Sequence, residues 1–466
     1  MKQIKILVVL YFFATSCIGY KAPDKQNIDK LKSESKSNKN LKIPEDWMFD
    51  RLSDSLANFK YDWIEELQDE NVQQLINEGF LYNADIAIAA EKLNQLQLKT
   101  GIVNANALPD VNAGLLAENF TNGSYYARLQ LQASYEIDLW GKLKSGREAS
   151  SRAVYSAEFL NTRLKQTIAS LIKKNYYTAI AGNVKLNMLL GYKLKTEELK
   201  RITEIRQRVG IANELDLSNI NAELIQLDLQ IEKVRNFNAQ VKRTLELLVG
   251  RYPKGVIEVK DQFPALKTKV PQSIPFRLLE NRPDILAAEF LIEQSFFQVI
   301  EAKAARLPAI RLIASTGGAN SNIDFINSTF SNPFATIGSG LITPLFNGGA
   351  LKKNLEIKNS QQKQSVEEYS KVVLTSLSEV ESAWQNISSA ESQYNYSVLV
   401  IDELNKNILL TNRQIEIGTS NTYDLLQKQR NLIQNEVTAV DVGLIQIIER
   451  INLYMAIGAK NTEPYF

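Results

Sequence analysis

Two short runs in the chain carry the same pattern of chemistry-bearing residues. Val209-Gly210-Ile211-Ala212-Asn213-Glu214-Leu215-Asp216 and Ile417-Gly418-Thr419-Ser420-Asn421-Thr422-Tyr423-Asp424 repeat glycine, asparagine and aspartate at one spacing. An acidic residue three positions after asparagine suits the first turn of a helix, where a carboxylate meets the positive end of the backbone dipole. Asp216 and Asp424 are therefore read first as residues that lead helices. The same offset relates Val249-Gly250 to Ile457-Gly458, while Leu108-Pro109 and Leu307-Pro308 correspond at a slightly shorter one. A long-period repeat with two copies points to a duplicated structural unit rather than to a catalytic pocket.

Other chemistry is scarce. The chain has no histidine, which removes the commonest general base and metal ligand. Its single cysteine forms no internal disulfide and no Cys-rich metal site. No nucleophile–base constellation or phosphate-binding glycine loop is present, so an enzyme is not expected, nor are cofactors or a metal site. A formal charge of +2 over 466 residues gives no reason to expect a nucleic-acid partner.

That cysteine, Cys17, has a distinctive position. Lys2 and Lys5 precede an apolar run from Ile6 to Ala14, and Ala14-Thr15-Ser16 forms a small-residue junction before it. This reads as an export signal, too short to span a bilayer. The junction resembles a lipoprotein signal, with Cys17 as the acylated first residue after removal of 1–16, although Ala14 stands where leucine is usual. The alternative is an ordinary cleaved signal with an incidental cysteine. Anchoring takes more than one acyl chain, because a single chain binds only marginally. The Lys/Ser/Asn/Asp-rich stretch from Asp24 to Lys42 lacks the apolar content to pack and reads as a tether.

The elements around the acidic runs are of two kinds. From Arg128 to Leu139, odd positions are apolar and even positions polar, the period of a strand with one wet face. Val111, Ala113, Leu115 and Ala117 form its partner, and the Asn-Gly within Asn119 to Ser124 closes a hairpin. The second half offers Ile310, Leu312, Ala314 and Thr316, a Gly/Ser/Asn loop from Gly317 to Pro333, and a return strand from Ala335 to Thr343. Each half thus contributes one hairpin, giving four strands. Helices occupy the rest: no proline lies between Pro109 and Pro253, or between Pro344 and Pro464. Lys142 to Gly210, if helical, reaches roughly 100 Å at ~1.5 Å per residue. Leu217, Ile220, Leu224, Leu227, Ile231, Val234, Val241, Leu245 and Leu248 form a coiled-coil seam, broken only by Asn238. Leu426, Ile433, Val437, Val440, Leu444, Ile447 and Ile451 form a second. Four strands cannot close a barrel, which needs about eight, and an open sheet edge is not viable in lipid. If the strands enter a bilayer, several chains must share one barrel, and three chains supply a permitted number.

At this point the chain resembles the TolC/OprM-type outer-membrane efflux channels, in their lipoprotein (NodT-like) branch. Tyr20-Lys21-Ala22-Pro23, Tyr135-Glu136-Ile137-Asp138-Leu139-Trp140-Gly141-Lys142, Arg282-Pro283-Asp284-Ile285 with Ala287-Ala288-Glu289, and Pro344-Leu345-Phe346-Asn347-Gly348-Gly349 carry the resemblance in order. It implies a mixed α/β membrane protein: a homotrimeric twelve-stranded outer-membrane β-barrel, four strands per chain, continued by a periplasmic α-helical barrel. It also implies a passive conduit in a Gram-negative cell that docks with a periplasmic adaptor (membrane fusion) protein and an inner-membrane pump of the resistance-nodulation-division type. Drugs, metal ions or other small solutes would pass outward. Two other readings stay open: an exit duct for type I protein secretion, and a lipid-anchored coiled-coil scaffold with no pore.

The resemblance also assigns roles. Gly210 and Gly418 would mark the periplasmic tip, where helices reverse, and Asp216 and Asp424 match acidic residues that ring the narrowest point of the tube. Carboxylate rings select cations and are costly to crowd. Gln427 replaces a second gate aspartate, and Ser420 and Ile415 replace an arginine and a tyrosine of the latch in some members. Closure would rest more on packing, with Leu215, Leu217, Tyr423 and Leu425 as candidates. Arg282, Pro283 and Asp284 are expected to be structural, with proline in the first helical turn. Trp140 and Phe346 suit either a membrane interface or junction packing. The expected organisation is a signal peptide at 1–16, a lipid-anchored tether at 17–60, repeats at 61–250 and 276–458 around an equatorial linker at 251–275, and a tail at 459–466.

Overall fold

The computed structural model describes Ile64, Leu67 and residues 69–119, 125–210, 212–270, 277–320 and 333–458. The signal, Cys17, most of the tether and the tail lie outside the described residues. In chain order the elements are α1 (Glu70–Tyr82), α2 (Ala84–Ala105), β1 (Asp110–Asn119), β2 (Tyr125–Ile137), α3 (Lys142–Arg208), α4 (Glu214–Leu248), α5 (Arg277–Glu280), α6 (Pro283–Ala304), β3 (Ala309–Asn320), β4 (Pro333–Ile342), α7 (Ala350–Glu416) and α8 (Thr422–Ala456). Helices α3 and α7 are each 67 residues long, and α4 and α8 each 35. No helix among the described residues is long and apolar enough to cross a membrane. Two compact units draw on both halves of the chain: one from Ala90–Leu160 and Asp284–Val372, the other from Asn161–Pro283, Val373–Phe466 and the described residues up to Ala89.

The first unit holds the sheet. Its four strands run antiparallel in the order β1-β2-β3-β4, so β2 joins the two hairpins by pairing with β3. Residues opposite one another share a face. Val111, Ala113 and Leu115 align with Ala133, Leu131 and Leu129, and Tyr135 and Ile137 align with Leu312 and Ile310. Leu312, Ala314 and Ile310 in turn meet Ser339, Ile337 and Leu341. This face is almost wholly apolar, and Val111, Leu115, Leu131, Ile337 and Leu341 on it are exposed. The opposite face carries Arg128, Gln130, Gln132 and Glu136 with Arg311, Ser315 and Thr336.

Two boundaries differ from the sequence reading. Strand β2 stops at Ile137, before Leu139. Asp138 keeps the alternation going by its polarity but serves the next helix: its carboxylate accepts from the amides of Leu143 and Lys144, at 3.0 and 2.7 Å. Strand β3 continues through Gly317 to Asn320, where a loop was expected. Glycine is required at 317 by contact, since a Cβ there would lie 2.0 Å from the Leu129 carbonyl oxygen. Trp140 packs at the junction, its indole N–H donating to the Pro308 carbonyl at 2.7 Å, whereas Phe346 is exposed. The Leu-Pro pairs do lie between helix and strand at both places.

Helices of this unit cross through polar and aromatic contacts. Thr100 and Ser150 hydroxyls meet at 2.7 Å, and Ser295 and Ser365 at 2.9 Å. Arg152 pairs with Glu293 at 3.0 Å, and Phe159 stacks on Phe290.

The second unit contains most of the described core. Tyr176 and Tyr177 of α3 are fully buried, and the Tyr177 hydroxyl donates to the Leu67 carbonyl at 3.0 Å. The seam of α4 is as read, with Ile220, Leu227, Ile231, Val241 and Leu245 buried. Its flaw, Asn238, is buried too. It fills the notch at Gly182 of α3, where a Cβ would lie 2.5 Å from the amide carbon, and it donates to Asn183 at 2.7 Å. The glycine thus admits the polar side chain instead of interrupting the helix.

The C-termini of the shorter long helices are gripped by side chains. Asn83 donates to the Leu248 carbonyl at 2.9 Å. Arg282, 1 % exposed, donates to the Ala456 carbonyl at 2.7 Å and to Glu379 at 2.8 Å. Arg163 donates to the neighbouring Met455 carbonyl at 3.1 Å. Pro283 follows as the first residue of α6, where a missing amide costs nothing. Removing the buried guanidinium strands two acceptors. Arg282→Ala is therefore expected to lower stability by about 3 kcal/mol, read as a fall in thermal midpoint of the detergent-solubilised protein.

Candidate functional site at the helix reversals

Both acidic runs lie in the second unit, and both are helix reversals. α3 ends at Arg208 and α4 begins at Glu214; α7 ends at Glu416 and α8 begins at Thr422. Contacts across each pair run in opposite senses. Lys193 meets Asp228 at 2.6 Å while Asn183 meets Asn238, and Gln446 donates to the Ala390 carbonyl at 3.1 Å.

The turns are built locally. Gly210 and Gly418 both have φ +79. This left-handed conformation ends a helix readily only with glycine. Gly418 N–H donates to the Ile415 carbonyl at 3.2 Å and Thr419 N–H to Gln414 at 2.9 Å, the paired bonds of a Schellman motif. Gly210 N–H makes the matching bond to Gln207 at 3.0 Å. The next helix is then capped. The Asn213 side chain accepts from the Asp216 amide at 2.9 Å, and the Asp216 carboxylate accepts from the Asn213 amide at 3.1 Å, a reciprocal box. At the second turn Asn421 accepts from the Asp424 amide at 2.9 Å, and the Ser420 hydroxyl donates to the Asp424 carboxylate at 3.0 Å. Both aspartates therefore lead helices. Asp424 is exposed and Asp216 partly so.

The neighbouring apolar residues divide. Leu215 and Tyr423 are exposed, Leu217 is partly covered, and Leu425 is buried within the chain. Val209 and Ile417, beside the two glycines, are also exposed.

About two helical turns beyond Asp216 lies a polar cluster that the seam analysis passed over. Glu223 of α4 is buried. Its carboxylate accepts from the Nε and Nη2 of Arg430 on α8, the first at 2.9 Å, and from the hydroxyl of Tyr192 on α3 at 3.4 Å. Burial first, then the adjacent Glu223 charge, pushes the Tyr192 phenol well above its ordinary range, so it stays protonated and donates. Leu189, Leu227, Ile231 and Ile433 enclose the same spot. One interaction therefore ties a helix from the first half to one from the second. The available sequence signal was a glutamate inside a heptad seam, one position before Leu224.

Comparison with known proteins places this architecture. A family model described as Outer membrane efflux protein matches residues 75–251 and 274–459. The pyoverdine export outer membrane protein OpmQ of Pseudomonas aeruginosa is 24% identical over 436 residues, covering 90% of this chain and 91% of OpmQ. SilC of Salmonella typhimurium, whose full name is Probable outer membrane lipoprotein SilC, is 26% identical over 416 residues, covering 85% of this chain and 87% of SilC. Among solved structures, the Campylobacter jejuni CmeC outer membrane channel superposes with a TM-score of 0.79 at 20% identity, over 91% of this chain and 95% of CmeC.

The geometry separates two roles by size of effect. Asn213→Ala and Asn421→Ala each remove one cap and are expected to cost about 1 kcal/mol. Glu223→Ala strands the Arg430 charge and is expected to cost about 3 kcal/mol, with much of the loss recovered in Glu223→Leu/Arg430→Met. Urea unfolding in detergent, followed by circular dichroism, measures both. The chain belongs to the outer membrane efflux protein family, and it is the outer-membrane channel component of an efflux system rather than an enzyme.

Proposed function

We propose that three copies of this chain close a twelve-stranded barrel in the outer membrane, and that α3, α4, α7 and α8 continue it as a periplasmic helical tube. The carrying observation is the four-stranded sheet, which has one apolar, exposed face and unpaired outer edges on β1 and β4. Lipid suits that face but not those edges, and four strands are too few to close. Copies of the chain supply the missing neighbours. Exposed Leu215, Ile225, Leu229 and Phe237 along α4 support a second copy against the helices as well. The matched lengths of α3 with α7 and of α4 with α8 support descent of 61–250 and 276–458 from one duplicated unit, joined by the linker 251–275.

The remaining parts of the proposal follow from this placement. Cys17 carries the lipid that tethers the chain, as the name of SilC suggests by analogy. A periplasmic adaptor and an inner-membrane transporter of the resistance-nodulation-division type deliver solute to the helical end, and the channel conducts it passively. The reversals with Gly210 and Gly418 form the periplasmic aperture. Asp216 and Asp424 line it, with Leu215, Leu217, Tyr423 and Leu425 packing around them. Capping and lining are compatible, since a capping carboxylate keeps its charge.

Single-channel recording of the purified protein in planar bilayers, with cross-linking to count subunits, tests the assembly. A trimer with discrete openings is expected. A monomer that neither inserts nor conducts would leave an anchored scaffold as the better account. Asp424→Asn keeps an oxygen acceptor and removes the charge, so it should weaken cation preference at little cost in stability. Unchanged selectivity would confine Asp424 to its capping role.

A further inference from the structure

The polar face of the sheet is not uniform along the strands. Towards the ends of β1 and β2 that approach Asn119 and Tyr125 it carries Arg128. The other charged side chains described on it, Asp110, Glu136 and Arg311, lie towards the helices. Glu136 pairs there with Lys142 at 2.5 Å and lies 3.9 Å from Arg311. Arg128 and Glu136 are eight residues apart on β2, about 26 Å along a strand.

Arg128 is held differently from every other arginine on this face. Its guanidinium carbon stands 4.5 Å over the centroid of the Phe334 ring on β4. Its Nε is buried without a hydrogen-bond partner among the described residues. To reach Phe334 the side chain crosses β3 diagonally: Gly317 pairs with Gln130 on one side and with Phe334 on the other. Glycine at 317 puts no side chain in that path. The ring thus fixes the position of the charge without neutralising it, because an aromatic face attracts a cation but carries no net charge. An arginine on the lipid side of a barrel is destabilising, so a face that bears one belongs to the lumen.

We infer that Arg128, seated on Phe334, joins its two copies to form a ring of fixed positive charge in the loop-proximal part of the barrel lumen, favouring small anionic solutes over cations. This rests on the closed-barrel reading above. Each chain supplies one guanidinium, so the ring exists only in the assembly. Rings of basic side chains are a known means of admitting anions.

The test uses whole cells and the full chain, and does not depend on the state of the aperture at the other end. Gln132→Cys places a thiol on the same polar face, nearer the helices than Arg128. Its labelling is followed with membrane-impermeant methanethiosulfonates of negative and positive charge, and the chain without this substitution serves as the blank for Cys17. With Arg128 present, the negative reagent is expected to label severalfold faster relative to the positive one than it does with Arg128→Gln. Arg128→Glu should reverse the preference, and Phe334→Leu should move it part of the way towards Arg128→Gln. The ratio is internal to each sample, so a variant that assembles poorly still reports. Labelling at 132 with a ratio indifferent to residue 128 would overturn the ring alone. Failure of both reagents to reach 132, with Leu129→Cys behaving the same way, would overturn the lumenal placement of this face and the barrel reading with it.

Discussion

In hydrocarbon a backbone amide has only other backbone groups to bond, and this constraint governs the sheet and everything attached to it. The inner strands β2 and β3 meet the requirement within the chain. The outer strands β1 and β4 meet it on one side only. An assembly is therefore written into the hydrogen-bonding of a single chain, before any side chain is considered. The side chains then choose which face meets lipid, and the alternation in β2 does so over almost its whole length. At the helical end the same backbone must pass from sheet to helix without orphaned groups. Asp138 covers the first amides of α3, and Trp140 satisfies the carbonyl of Pro308.

The helical part faces a different problem. Helices as long as α3 and α7 have weak local reasons to hold one register against their neighbours. Apolar seams alone tolerate sliding, whereas buried polar contacts are specific to one alignment. Asn238 in the notch at Gly182 and the Glu223–Arg430–Tyr192 cluster supply such markers. Arg282 and Arg163 add a third kind, holding the carbonyl end of α8. Each pairs a buried polar group with a partner, so each contributes more to specifying the arrangement than to net stability.

Much of this was legible because it is local. Glycine followed by asparagine and aspartate announces a reversal and a cap, and the bonds found at Gly210, Asn213 and Asp216 involve no distant residue. Proline at 283 marked the start of α6 for the same reason. The misreadings arose where a residue serves a partner far away in sequence. Gly317 looks like a loop residue, but a glycine can be required in a strand by the backbone next to it, here that of Leu129. Asp138 continued the polar alternation while capping the following helix. Glu223 was hidden because its partners lie on two other helices, and Asn238 looked like a defect because nothing in its own helix reveals the notch opposite. The Arg282 motif was recognisable, but its contacts with Ala456 and Glu379 were not.

The two reversals have a mechanical consequence. A side chain added at Gly210 or Gly418 would meet nothing within 4 Å, so these glycines are required by backbone conformation and not by packing. The bonds that shape each turn also come from residues within the turn or the adjoining helix ends. Each reversal is therefore a self-sufficient knuckle, able to keep its form while the surfaces around it change. A rearrangement at that end would carry the knuckles as intact pieces and be resisted at the buried crossing of Glu223 with Arg430. The stiffness of the tip and the resistance to its displacement thus reside in different residues, and selection can tune one without disturbing the other.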